Sequence, residues 1–275
     1  MLAVWRWVWG HWRAIHEESL ASAQPAGQRG KKALPAAPPL DWKPLVILVA
    51  TALTLTLQEY AGDRNVFARL LEKPWFPFRV PNEYWELWSF VWWTGWRVIG
   101  YLLLPMAVIA VLPGERIRDY GWSFTGFFKH LNTYLILFVA VMPVIYLCSQ
   151  TRAFRNIYPF YRFAHRSAFD FVSWELLYLL QFLSLEFFFR GFMLNGLKKA
   201  IGAHSIWVMI VPYCMIHYGK TWQETVGAII AGLILGTVAL RTKSIWGGVL
   251  IHCGVALSMD ILTIQDCPKT GPCPR

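Results

Sequence analysis

131-LNTYLILFVAVMPVIYLC-148 runs for eighteen residues without one Asp, Glu, Lys or Arg. A helix rises about 1.5 Å per residue, so roughly 20 such residues cross the ~30 Å hydrocarbon core of a bilayer. One run of this kind could be a buried core helix. Its recurrence, in 44-PLVILVATALTLTL-57 and 226-VGAIIAGLILGTVAL-240 among others, points instead to a membrane protein. Working outward from these runs, spans are expected at about 44–60, 85–112, 131–148, 171–194, 203–218, 224–240 and 244–264. The fold class is therefore all-α, a polytopic transmembrane helical bundle of about seven to eight spans.

Composition agrees. Of 275 residues, 56% are hydrophobic and only 15% charged, outside the range of ordinary soluble domains. The net charge of +10 is carried by Lys and Arg between the apolar runs, where lipid head groups and the positive-inside bias account for it. No nucleic-acid module is visible. The 16 tryptophans suit interfacial anchoring. Cys148, Cys214 and Cys253 lie in apolar surroundings, whereas Cys267 and Cys273 sit in a Pro/Gly-rich tail and would pair in an oxidising compartment.

Three regions follow. Residues 1–43 are an N-terminal interfacial helix (1–20) and a basic linker rich in Ala, Pro and Gly. Residues 44–264 are the transmembrane bundle, of which 171–264 form the chemistry-bearing core. Residues 265–275 are a C-terminal tail. Very short turns join the last four spans, so these are antiparallel neighbours. The basic linker argues for a cytosolic N-terminus, yet an odd number of spans would then place Arg152, Arg155, Arg162 and Arg166 outside, against the bias.

Ionisable groups inside spans are costly, and each asks for a partner or a role. In 184-SLEFFFRGFML-194, Glu186 and Arg190 are four apart and share a helix face, suited to an ion pair that is either structural or catalytic. Glu175 lies on nearly the same stripe, toward the opposite membrane face. In 213-YCMIHYGK-220, His217 closes an apolar run, and Glu224 opens the next helix, where an acid favours the N-terminus. In 250-LIHCGVALSMD-260, His252 and Asp260 have no local partner. Counting rise from the helix ends puts Glu186 and His252 at one level, about 12 Å deep, with His217 nearer 21 Å. Tilt or a deep-set fifth helix would have to bring His217 to the others.

One carboxylate and two imidazoles allow two chemistries. The carboxylate and one His can act as general base on a water while the other His donates to an oxyanion. Alternatively Glu186, His217 and His252 can hold a divalent metal such as zinc. The spacing is not HExxH, so the metal-free version, with no cofactor, is preferred.

The three blocks, in this order, resemble the CAAX-protease and bacteriocin-processing family of intramembrane peptidases, whose pattern is EExxxR, then aromatic-xxxH, then HxxxN or HxxxD. Here they read Leu185-Glu186-Phe-Phe-Phe-Arg190, Tyr213 to His217, and His252 onward, covering about 171–264. The sequence departs from the pattern where Leu185 replaces the first Glu and Ala256 the final Asn; Asp260, one turn on, could replace the latter. The resemblance implies that Glu186 and His217 activate water and His252 stabilises the oxyanion, with Arg190, Asp260 and Glu224 in support.

The expected function is an intramembrane endopeptidase of the bacterial inner membrane. Its partners would be the lipid bilayer and a protein or peptide substrate with a membrane-embedded or lipidated terminus. Two alternatives stand beside it: an inactive family member acting as a membrane binding or immunity protein, and a transporter or proton relay.

Overall fold

The computed structural model describes residues 41–76, 79–268 and 270–274, with 6, 10, 11, 14 and 15. Most of the helix expected over 1–20 and most of the 21–43 linker fall outside the described residues. Residues 1–42 form a unit of their own, and the rest of this description concerns the second unit, Lys43–Arg275.

Among the described residues the architecture is helical throughout, without a strand. We number the long helices α1 (Lys43–Tyr60), α2 (Arg64–Leu71), α3 (Asn82–Val111), α4 (Leu131–Ser149), α5 (Ala168–Ile201), α6 (His204–Met215), α7 (Trp222–Thr242) and α8 (Trp246–Ile264). Their starts carry ordinary capping chemistry. Ser167 accepts from the Asp170 N–H ahead of α5, and Thr221 accepts from the Glu224 N–H ahead of α7.

Five of these helices, α3, α4, α5, α7 and α8, are long and apolar enough to cross a membrane. A sixth span exists if α1 and α2 are counted together across their 50° bend. The expected seven to eight is not reached, and the reason is geometric. All seven segments read as spans are helical, but α6 has 12 residues and is roughly 18 Å long, short of a bilayer core.

The chain places α5 in the middle. Its most apolar window is 67% buried, against 6% for α4, whose Ile136, Val139 and Leu147 face outward as a lipid-facing helix should. Helix α3 packs along α5, α6 along α7, and α8 along both α4 and α5. Two helices widen locally into π turns, α3 at Ile99–Leu103 and α5 at Phe187–Met193. The first precedes Pro105, which has no N–H to continue a regular ladder.

Alternation of the helices gathers the connections at two ends. At one end Glu115 Oε1 accepts from Lys43 Nζ (2.9 Å) and Lys199 Nζ (3.0 Å), while Oε2 accepts from the Tyr120 hydroxyl at 3.2 Å. At the other end Arg155 pairs with Asp266 at 3.0 Å, and Arg166 with Asp170 at 2.6 Å. There the tail pairs Cys267 with Cys273 in a disulfide, and Arg162 donates to the Cys273 carbonyl.

Glu115 ties three segments together. Burial raises its pKa, but the hydrogen bonds and charges of Lys43 and Lys199 outweigh burial and hold it below the usual carboxylate value. A depressed folded-state pKa contributes stability above the unfolded value of 4.5, lost as pH falls through the folded one. Glu115→Gln should therefore lower unfolding stability at pH 7 by about 1–2 kcal/mol. Thermal unfolding in micelles should show the difference from wild type shrinking below pH 4.5; a pH-independent difference would contradict it.

Candidate active site

Glu186 is the last residue of α5 before its π turn, so the wider turn begins at the carboxylate. Such insertions recur where a helix must re-aim a functional side chain. Glu186 and Arg190 are both fully buried, and Arg190 Nη1 lies 3.1 Å from Glu186 Oε1. Facing them, α8 presents Gly248 and, one turn on, His252. His252 Nδ1 donates to Glu186 Oε1 at 2.6 Å. Glu186 Oε2 points at the α8 backbone and has no hydrogen-bond partner among the described residues. Only glycine fits there, because a Cβ on residue 248 would stand 2.0 Å from that oxygen.

The other face of His252 completes a chain. With the Nδ1 proton committed to the carboxylate, neutral His252 offers Nε2 as an acceptor. The Tyr213 hydroxyl of α6 occupies it at 2.9 Å. Phe182, one turn before Glu186, stacks on the imidazole (5.3 Å, 12° between planes), and the Arg190 guanidinium lies 4.0 Å over the Tyr213 ring. Carboxylate, imidazole and phenol are thus held in line by three helices within an apolar shell, where charge interactions are strong.

His217 reaches this group through Tyr213. Its Nδ1–H donates to the Tyr213 carbonyl at 2.8 Å, and the two rings sit 4.9 Å apart. The depth mismatch read from sequence is met by Tyr213, one turn deeper on α6, and not by a direct contact between His217 and Glu186.

Two supporting residues stand elsewhere. Asp260 accepts from Trp174 Nε1 at 2.5 Å, two turns beyond His252 on α8. Glu224 accepts from Lys220 (2.5 Å) and from the Tyr158 hydroxyl (2.7 Å) at the start of α7. Neither touches Glu186 or His252 through any contact found among the described residues. Glu175 is buried with neither oxygen hydrogen-bonded among the described residues. Leu185 packs into the apolar core, and Ala256 packs in the cluster around Trp174 and Tyr178.

With this geometry in place, comparison with known proteins is informative. Residues 167–258, about a third of the chain, match the family model described as "Type II CAAX prenyl endopeptidase Rce1-like". The matched segment is a CAAX-protease-family domain. No curated protein and no solved structure matches the chain. The CAAX-protease-type segment contains all of α5, α6 and α7 and most of α8, and so encloses every residue of the buried cluster.

The metal alternative fits this arrangement poorly. Both ring nitrogens of His252 and Nδ1 of His217 already have protein partners. Among the described residues, three such donors gather within 4.8 Å of one another at His165, Cys267 and Cys273, whose two sulfurs are bonded to each other. The residue that sequence reading passed over is Tyr213. A tyrosine in an apolar run costs little and raises no flag; its signal was its place as the aromatic of the aromatic-xxxH block.

Proposed function

We propose that the protein is an intramembrane endopeptidase that cleaves a membrane-bound or lipidated protein near its terminus, with Glu186 and His252 as its central pair. The observation that carries this reading is the buried line from Glu186 Oε1 through His252 to the Tyr213 hydroxyl. The family match to CAAX prenyl endopeptidases supports a prenylated C-terminal segment as the substrate class.

The chemistry follows from the donors. His252 Nε2 takes a proton from a water that replaces the Tyr213 hydroxyl on it, and the water oxygen bonds to the scissile carbonyl carbon. Glu186 stabilises the resulting imidazolium and fixes its tautomer. Tyr213, released from Nε2, is the donor on hand for the oxyanion; His217 commits its Nδ1 proton to the Tyr213 carbonyl, which leaves its Nε2 an acceptor, and so it positions that phenol. The imidazolium then returns its proton to the leaving amine as the C–N bond breaks. This gives to His252 the water activation that the family resemblance implies for His217, because the carboxylate is paired with His252 and not with His217.

The test is release of the terminal peptide from a farnesylated CAAX-ended substrate by the reconstituted protein, followed by mass spectrometry. Tyr213→Phe should cut the rate about tenfold or more, the loss expected for one donor, and His217→Ala, which removes the ring that positions Tyr213, should cut it by a similar factor. Absence of any cleavage by wild type, or wild-type rates in both variants, would refute the reading.

A further inference from the structure

A cavity of about 360 Å³ opens at the end of the bundle that carries the tail, remote in sequence from the Glu186 cluster. Its wall includes Arg64 at the start of α2, and Arg155, Asn156 and Arg162 from the connection between α4 and α5. Phe90 and Trp93 of α3 line it too. Among the described residues, three arginines and no carboxylate line it.

The guanidinium groups are positioned largely by neutral acceptors. Arg162 donates to the Cys273 carbonyl, Arg155 to the Ser149 carbonyl (3.0 Å), and Arg64 to the Ser89 hydroxyl (2.8 Å). Two carboxylates stand behind the wall, Asp266 at 3.0 Å from Arg155 and Glu86 at 3.6 Å from Arg64, and neither lines it. The neighbouring cavity shares Arg64, Trp93 and Arg162 but adds Glu59, Asp63 and Glu86, so the acid-free wall is particular to the first.

Planar guanidinium forks match the oxygens of a phosphate, and the aromatic floor suits the apolar part of an ester. The surroundings place the cavity at head-group level. Trp85, in the wall of the neighbouring cavity, and Trp88 on the same helix are exposed, and interfacial tryptophan marks that depth. We propose that this cavity binds the phosphate of a phosphate ester, carried either by a membrane phospholipid or by a soluble molecule. The proposal is independent of the peptidase reading.

The experiment uses the full-length protein in maltoside micelles and titrates three probes by native mass spectrometry. These are a short-chain phosphatidylglycerol, glycerol 3-phosphate, and diacylglycerol, which has the acyl chains without the phosphate. Binding of phosphatidylglycerol alone supports the site with a lipid as its source. Binding of glycerol 3-phosphate as well supports it with a soluble source. Arg155→Gln should weaken binding roughly fivefold, the share of one interfacial cation. Arg155 also holds Asp266, so Asn156→Asp serves as the second variant. It brings a negative charge into the wall, leaves every arginine in place, and should weaken binding by a similar factor. Binding of glycerol 3-phosphate alone likewise supports a soluble source, whereas equal binding of diacylglycerol, no binding of either phosphate-bearing probe, or unchanged affinity in both variants would overturn the proposal.

Discussion

Arg190→Met should destabilise the bundle by about 3–5 kcal/mol, the cost of leaving a buried charge without its partner. Glu186 is fully buried, and Arg190 is the permanent cation within reach of it, 3.1 Å from Oε1. Methionine preserves much of the apolar stem and its packing beneath the Tyr213 ring but removes the charge. His252 can offset part of the loss by taking a proton, at the expense of its role as a base. Removing both charges is a different matter, since a buried pair can often be exchanged for neutral groups at small cost. The double variant Glu186→Gln/Arg190→Met should therefore regain much of the lost stability while remaining inactive. Unfolding in micelles checks both values. A double variant as unstable as Arg190→Met alone would show that the guanidinium acts through packing and not through the carboxylate.

Gly248→Ala should abolish most activity while leaving a folded protein. The added methyl would stand 2.0 Å from Glu186 Oε2, so the carboxylate must swing away and the 2.6 Å contact to His252 breaks. Misplacing a catalytic group by about 1 Å can cost 10²-fold in rate, and that loss or more is expected here. Overpacking of this kind typically costs only about 1–3 kcal/mol in stability. Gly227→Ala on α7 is the control, because nothing lies within 4 Å of its added Cβ. Cleavage rates for the two variants, with unfolding midpoints beside them, separate the site from the helix. Equal activity in both would remove Gly248 from the account.

These effects rest on residues that differ in how far the sequence reveals them. Helix bounds are legible where an apolar run ends on charge: α1 and α7 lie within two residues of their expected limits. The expectation for α5, 171–194, stops seven residues short, because Asn195, Lys198 and Lys199 look like an exit from the membrane. In the fold they are an amphipathic extension, with Asn195 buried and Lys199 reaching Glu115. Span counting fails at α6, where hydropathy marks an apolar helix but not its length.

In the site, Glu186, Arg190 and His252 are legible because charge in a membrane asks for a partner, and counting the rise along each helix puts two of them at one depth. What sequence does not reveal is which His meets the carboxylate. That depends on α6 being short and on Tyr213 filling the space between the two imidazoles, both consequences of tertiary packing. Asp260 and Glu224 carry the same charge signal as Glu186, yet Trp174 and Lys220 answer it locally.

The central claim is that Glu186 and His252 work as one unit, and a double-variant cycle tests it most directly. Cleavage of a farnesylated CAAX-ended peptide is measured for wild type, Glu186→Gln, His252→Ala and the double variant in proteoliposomes at equal protein. Residues acting as a unit are strongly non-additive. Each single variant should fall by about 10³-fold or more, and the double variant should fall little further. A Glu186→Gln protein that cleaves at the wild-type rate, or losses that multiply in the double variant, would contradict the account.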